Sequence, residues 1–189
     1  MDTIELELWQ IPGNNLAGDI HDAIDNPDYF NTYDLDANAS KIWSGSFNPE
    51  KSERNSVVQN RIAFADMAGK ENRSGVYVLT LRVPEQYQTA LMGFTVTDQG
   101  LTAYQTRDGL LAELRDLRNN QPVAGQTVTL YAQNNRVLGE AKTDAQGIAR
   151  FSAAQTGGNG SDAPGHLVSQ HDEHLAYLRV AGQGIDLSD

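Results

Sequence analysis

The stretch from Asn120 to Phe151 constrains the fold more than any other part of the chain. Apolar residues fall at every second position from Val128 through Leu130 to Ala132, with Thr127, Thr129 and Tyr131 between them. A period of two places one set on a buried face and the other on an open one, as in a half-buried strand. Turn signals bracket it. Pro122 and Gly125 precede the strand. Asn134-Asn135 follow it, and asparagine tolerates the positive φ of a tight hairpin. Val137 and Leu138 start a return strand. Thr143-Asp144-Ala145-Gln146-Gly147 is a second turn, with Gly147 expected at positive φ. Ile148, Ala149 and Phe151 begin the next strand. Val128, Leu130, Val137 and Phe151 are expected to face one core. Short strands joined by tight turns, with no catalytic residue among them, describe an edge of a small antiparallel β-sandwich.

The rest of the chain reads in the same way. Ile4, Leu6 and Leu8 alternate with Glu5, Glu7 and Trp9 in a half-buried strand. A short helix is expected around Asp19–Ile24. Strands are expected over Lys41–Phe47, Val57–Phe64 and Val76–Leu81, the last ended by Pro84. The first and last of these four strands should share a core. A boundary is placed at Pro84–Ala90. Leu91–Val96 and Leu101–Tyr104 follow as strands. The leucines at 110, 111, 114 and 117 suit a helix. Their place just before Asn119-Asn120-Gln121-Pro122 suits a strand that feeds a hairpin, and a strand is assigned. Residues 155–165 form a flexible loop, rich in Gly. His166–Ser169 and Leu175–Val180 pair as a last hairpin across Gln170–His174. The fold class is therefore all-β. Two tandem immunoglobulin-like antiparallel β-sandwich domains, residues 1–90 and 91–189, would hold six or seven short strands each.

Charge and cysteine content narrow the function. The chain carries 25 acidic and 14 basic residues, a net charge of −11. Through Asp98 there are 15 acids against 7 bases, and after it 10 against 7. Both halves are acidic, which opposes nucleic acid and anionic membrane as partners. No cysteine is present, so disulfides, thiolate metal sites and cysteine nucleophiles are excluded. No apolar run approaches the ~20 residues that span a bilayer. The chain enters its first strand directly after Met1-Asp2-Thr3 and stops at Asp189 without an evident terminus, which reads as a section of something longer.

Three segments invite a chemical reading. Asp34-x-Asp36-x-Asn38-x-Ser40 has the oxygen spacing of a calcium loop, but Ala39 and Gly45 stand where such a loop needs glycine and glutamate. A solvated acidic loop is expected. His171-Asp172-Glu173-His174 holds two imidazoles, with His166 near in sequence. The order differs from the His-Glu-x-x-His of zinc proteases, and a hairpin tip is expected. Gly157-Gly158-Asn159-Gly160 lacks the Lys-Ser/Thr and the helix of a phosphate cradle. The five aromatics Trp9, Trp43, Tyr77, Tyr104 and Tyr131 read as packing. No residue is assigned a catalytic, cofactor-binding or metal-binding role, no cofactor is expected, and the chain is read as not an enzyme.

A set of ordered segments carries a family resemblance. Gly75-Val-Tyr-Val-Leu79 comes first, followed by Phe94-Thr-Val-Thr-Asp-Gln-Gly-Leu-Thr-Ala-Tyr104 and Pro122-Val-Ala-Gly125. Leu138-Gly139, Thr143-Asp-Ala-Gln-Gly147 and Ala149-Arg-Phe151 continue it, with Leu175-Ala-Tyr-Leu-Arg179 and Ile185-Asp-Leu-Ser-Asp189 at the end. Together these resemble the bacterial α2-macroglobulins, closely in the second half and loosely in the first. The resemblance implies two consecutive macroglobulin-like domains toward the N-terminal part of a long periplasmic chain, membrane-anchored in some members through a lipidated N-terminus. Such proteins trap proteases after cleavage of a bait segment, many through a Cys–Gln thioester, and so act as broad-spectrum endopeptidase inhibitors. This chain has no Cys to form that thioester. Its expected role is a non-catalytic scaffold. Its partners would be neighbouring domains of the parent chain, and target proteases through the whole parent. A second reading is a stalk or adhesin module of a cell-surface protein, since Thr-Asp-x-x-Gly turns also occur there. A third is an enzyme with a site in the loops at 16–40 or 155–165.

Overall fold

The computed structural model describes residues 3–13, 33–49, 59–69, 74–84, 89–180 and 185–186. The chain divides into two compact units, the first running through Phe94 and the second holding Thr95–Asp189. The first unit also takes residues 1–12, 19–72 and 76–94, while residues 13–18 and 73–75 group with the second.

The described part of the first unit is one four-stranded sheet. Its strands are β1 (Ile4–Ile11), β2 (Ser40–Phe47), β3 (Gly75–Arg82) and β4 (Thr89–Val96), in the order β2-β1-β3-β4. β1 pairs antiparallel with both neighbours. Leu6 and Leu8 are buried, as their alternation requires, and face Leu81 and Leu79 of β3. Trp9 was expected on the open face with Glu5 and Glu7, yet it too is buried. The pairing of β1 with β2 shifts register between Leu8 and Trp9. A register shift of this kind re-aims the side chains that follow it. Ile11 continues the buried row.

Two short helices replace expected loop and strand. α1 (Tyr33–Asn38) lies where the acidic loop was expected, and α2 (Phe64–Ala68) starts where the strand Val57–Phe64 was expected to end. Residues 59–63 are irregular, and residues 57 and 58 lie outside the described residues, as does the helix expected at Asp19–Ile24. α1 buries Leu35 and α2 buries Met67, each by one apolar residue, too short a signal for a periodicity to show. Phe64 of α2 meets Tyr77 of β3 edge-on at 5.0 Å and Phe94 of β4 at 5.7 Å, and Tyr77 stacks on Phe94 at 5.7 Å. Six or seven strands were expected in this half, and four are described.

The second unit is a two-sheet sandwich. One sheet has the order β11-β10-β7-β8 and the other β12-β5-β6-β9. The strands are β5 (Gln99–Thr106), β6 (Gly109–Asp116), β7 (Thr127–Ala132), β8 (Val137–Lys142), β9 (Ile148–Ser152), β10 (Pro164–His171), β11 (His174–Arg179) and β12 (Ile185–Asp186). Residues 109–116, ambiguous in sequence, are strand. Ala103, Leu110, Ala112, Val128, Leu130, Ala149, Phe151 and Leu167 form the core between the sheets. Val137 does not join them and is 48% exposed. The register between β7 and β8 slips between Leu130 and Tyr131, so Val137 pairs with Tyr131 on the outer face and Leu138 packs on the core instead. β12 is parallel to β5, a pairing no local pattern announces.

Residues 155–165 are more ordered than a flexible loop. A single-turn helix α3 (Ala153–Thr156) is closed by a capping box in which Ser152 and Gln155 serve each other's backbone. A 3-10 turn at Gly160–Asp162 leads into β10. Arg136 and Asn134 of the β7–β8 turn hold the Asp162 carboxylate at 2.9 and 3.1 Å.

Candidate functional site

The two imidazoles at the hairpin tip turn to different partners. β10 and β11 pair up to His171 and His174, leaving Asp172-Glu173 as a two-residue turn with Asp172 at φ 51°. This is the hairpin tip expected from sequence. Nδ1 of His174 lies 2.8 Å from Oδ1 of Asp98, in the turn before β5. His171 lies 3.4 Å from its exposed neighbour Asp172. His166 is fully buried in β10, stacked on Tyr131 at 4.8 Å and tilted against Tyr177 at 5.8 Å. The three histidines therefore do not converge. Among the described residues no three His, Asp or Glu side chains are grouped to hold a metal.

Asp36 and Gly158 show what the other two segments are for. α1 carries Asp36 on its exposed side, with Leu35 turned inward. Gly158 sits against the carbonyl of Asp162, where a Cβ would come within 2.1 Å. Its glycine serves close backbone packing inside the 153–163 segment.

The largest concavity belongs to the first unit and was not foreseen. Glu5 and Glu7 of β1 share a sheet face with Lys41 of β2 and with Thr80 and Arg82 of β3. Together with Trp9, Leu35, Asp36 and Thr89 they line a cleft of about 380 Å³. Arg82 donates to Glu5 at 2.9 Å and Lys41 to Glu7 at 2.9 Å. Lys41 also stands 5.0 Å above the Trp9 ring. Its hydrogen bond to Glu7, and then the charge of that carboxylate, raise the Lys41 pKa. The indole N–H of Trp9 has no acceptor, but the nitrogen is closed off from solvent. Each glutamate is thus neutralised by one cation, and no serine or threonine stands beside a free base. This is a charge ladder across three strands, legible only once the register is known.

The second unit has ion pairs where its turns need them. The Asp144 carboxylate accepts from the backbone N–H of Gln146 and Ile148 at 2.9 and 3.0 Å, and from Arg150. Arg150 and those two amides hold its pKa below the usual carboxylate range. Gly147 donates back to the Asp144 carbonyl at 2.9 Å. Thr143, almost fully buried, accepts from the Gln126 amide at 3.0 Å. The Thr-Asp-x-x-Gly turn is therefore self-contained hydrogen-bond chemistry, with aspartate and glycine each required. Asp116 pairs with Arg118 at 2.7 Å and also accepts the Arg118 amide, which lowers its pKa to about 2. Glu113 accepts from Arg115 at 2.6 Å and from the Tyr104 hydroxyl at 2.9 Å. The arginine depresses the Glu113 carboxyl, and the carboxylate raises the Tyr104 phenol. These groups fix loops and strand ends.

Comparison with known proteins points one way. Residues 96–189 match the family model described as the bacterial alpha-2-macroglobulin MG3 domain. No curated relative matches the sequence. Among solved structures, native alpha-2-macroglobulin from Escherichia coli spanning domains NIE-MG1 is similar with a TM-score of 0.71 at 19% identity, over 96% of this chain and 85% of that one. The same protein spanning MG0-NIE-MG1 gives 0.67 at 20% identity, over 95% of this chain and 55% of that one. Its trypsin-activated form gives 0.67 at 17% identity, over 96% of this chain and 12% of that one. At such identities the structural likeness speaks for fold. The family model and the E. coli structures attach different domain numbers, MG3 and MG1, to this region, and they agree on a macroglobulin domain.

Proposed function

We propose, because residues 96–189 belong to the bacterial alpha-2-macroglobulin MG3 domain family, that this chain is a non-catalytic section of the frame of a protease-trapping protein. The family match over the second unit carries the reading. The structure supports it in a second way. The polar groups of both units are spent on strand ladders and turns, and the closest approach to a site, the cleft above Glu5 and Glu7, is neutralised within itself. The described residues thus offer a rigid support and no arrangement that would turn over a substrate. Trapping of endopeptidases belongs to the whole parent, with neighbouring domains as the immediate partners of this section. Its compartment is the periplasm. The stalk or adhesin reading rested on the Thr-Asp-x-x-Gly turn, which is generic hydrogen-bond chemistry and favours neither family.

The test is the apparent mass of the native polypeptide, detected in fractionated source cells with an antibody raised against this chain. A band several times larger than 20.6 kDa in the envelope fraction is expected. A band at 20.6 kDa would overturn the frame reading.

A further inference from the structure

An edge strand offers a row of unpaired N–H and C=O groups. Sheets guard such edges with charge, proline, bulges, short length or a covering element. Most edges among the described residues are guarded. β2 carries Lys41 and faces the register shift on β1. β8 carries Glu140 and Lys142 and has its own register shift. β9 is five residues long with Arg150, β11 begins at His174 and ends at Arg179, and β12 has two residues.

β4 has none of these guards. Thr89-Ala90-Leu91-Met92-Gly93-Phe94-Thr95-Val96 is eight residues without a charge or a proline. It ends the order β2-β1-β3-β4, so among the described residues nothing pairs with its outer side. Ala90, Met92, Phe94 and Val96 share one face by their period of two. Phe94 on that face stacks on Tyr77 and meets Phe64, and Met92 beyond it is 54% exposed. An apolar layer therefore runs to the sheet edge and stops there uncovered.

We infer that the outer edge of β4 receives one more β-strand, an extended segment supplied by another part of the longer polypeptide. The inference rests on the proposed parent. Backbone hydrogen bonds would seat the strand, and alternate apolar side chains on it would continue the Met92–Phe94 layer. A second copy of this chain is disfavoured as occupant, because the net charge of −11 opposes bringing two copies edge to edge.

Amide hydrogen exchange on the intact parent and on the 189-residue chain, the latter at two concentrations, tests this. The outward-facing amides of β4 are expected to exchange at least about tenfold more slowly in the parent than in the 189-residue chain. Equal, fast exchange in both would overturn the inference. Protection in the 189-residue chain that grows with concentration would make a second copy the occupant, and concentration-independent protection would place the strand within these residues. Either result overturns it as well. A native polypeptide of only 20.6 kDa is a separate outcome, which removes the parent itself.

Discussion

At Gly147 the turn leaves no room for a side chain. Its φ is 78°, in the region side chains avoid, and a Cβ would meet the carbonyl oxygen of Leu114 at 2.6 Å. That oxygen is backbone of a central strand and cannot swing away. Gly147→Val is expected to cost about 1–3 kcal/mol, from positive-φ strain and the forced shift together. The urea midpoint of the variant measures it, and an unchanged midpoint would mean a different turn geometry. Asp116 makes a prediction of another kind. Its pKa is about 2 in the fold against 3.8 as an ordinary carboxylate, because Arg118 donates to it from both side chain and backbone. A depressed carboxylate contributes stability that is present above its unfolded pKa and is lost as pH falls through the folded one. Asp116→Asn should therefore be less stable than the native chain at pH 5. The gap should close between pH 4 and pH 2. Chemical denaturation at a series of pH values tests this, and a gap independent of pH would sink it.

The β7–β8 hairpin separates two valine-like positions that look alike in sequence. Leu130 is fully buried between the sheets, and Val137 points out beside Tyr131. Leu130→Ala is expected to cost ~2–5 kcal/mol. Val137→Ala should stay within about 0.5 kcal/mol of the native chain. Comparable losses at both positions, in equilibrium unfolding, would place Val137 back in the core. The pair shows what sequence can and cannot say. Alternation found Val128, Leu130 and Ala132, and turn chemistry found Asn135 and Gly147 at positive φ. Both signals are local. The slips at Leu8/Trp9 and Leu130/Tyr131 depend on the partner strand, so Trp9 and Val137 were placed on the wrong side. β10 is buried from Gly165 to Ser169 without a break, which gives no period to read. The parallel pairing of β12 and the ladder from Glu5 to Arg82 join residues about 80 positions apart. The polar cleft was invisible for that reason.

Across the whole molecule, two separate apolar cores imply two cooperative units. The Leu6, Leu8 and Tyr77 core belongs to the first, and the Val128–Leu167 core to the second. The chain supplies its own reporter, because its two tryptophans, Trp9 and Trp43, both lie in the first unit. Indole fluorescence thus follows the first unit, while far-UV circular dichroism follows both. Leu130→Ala should lower the dichroism transition of the second unit and leave the fluorescence midpoint in place. Leu8→Ala, which empties a fully buried site on β1, should do the reverse and shift fluorescence by the same ~2–5 kcal/mol. If either substitution moved both signals together, the two units would be one cooperative body. The frame would then transmit a disturbance in one unit to the other, and a scaffold of independent sections would no longer describe it.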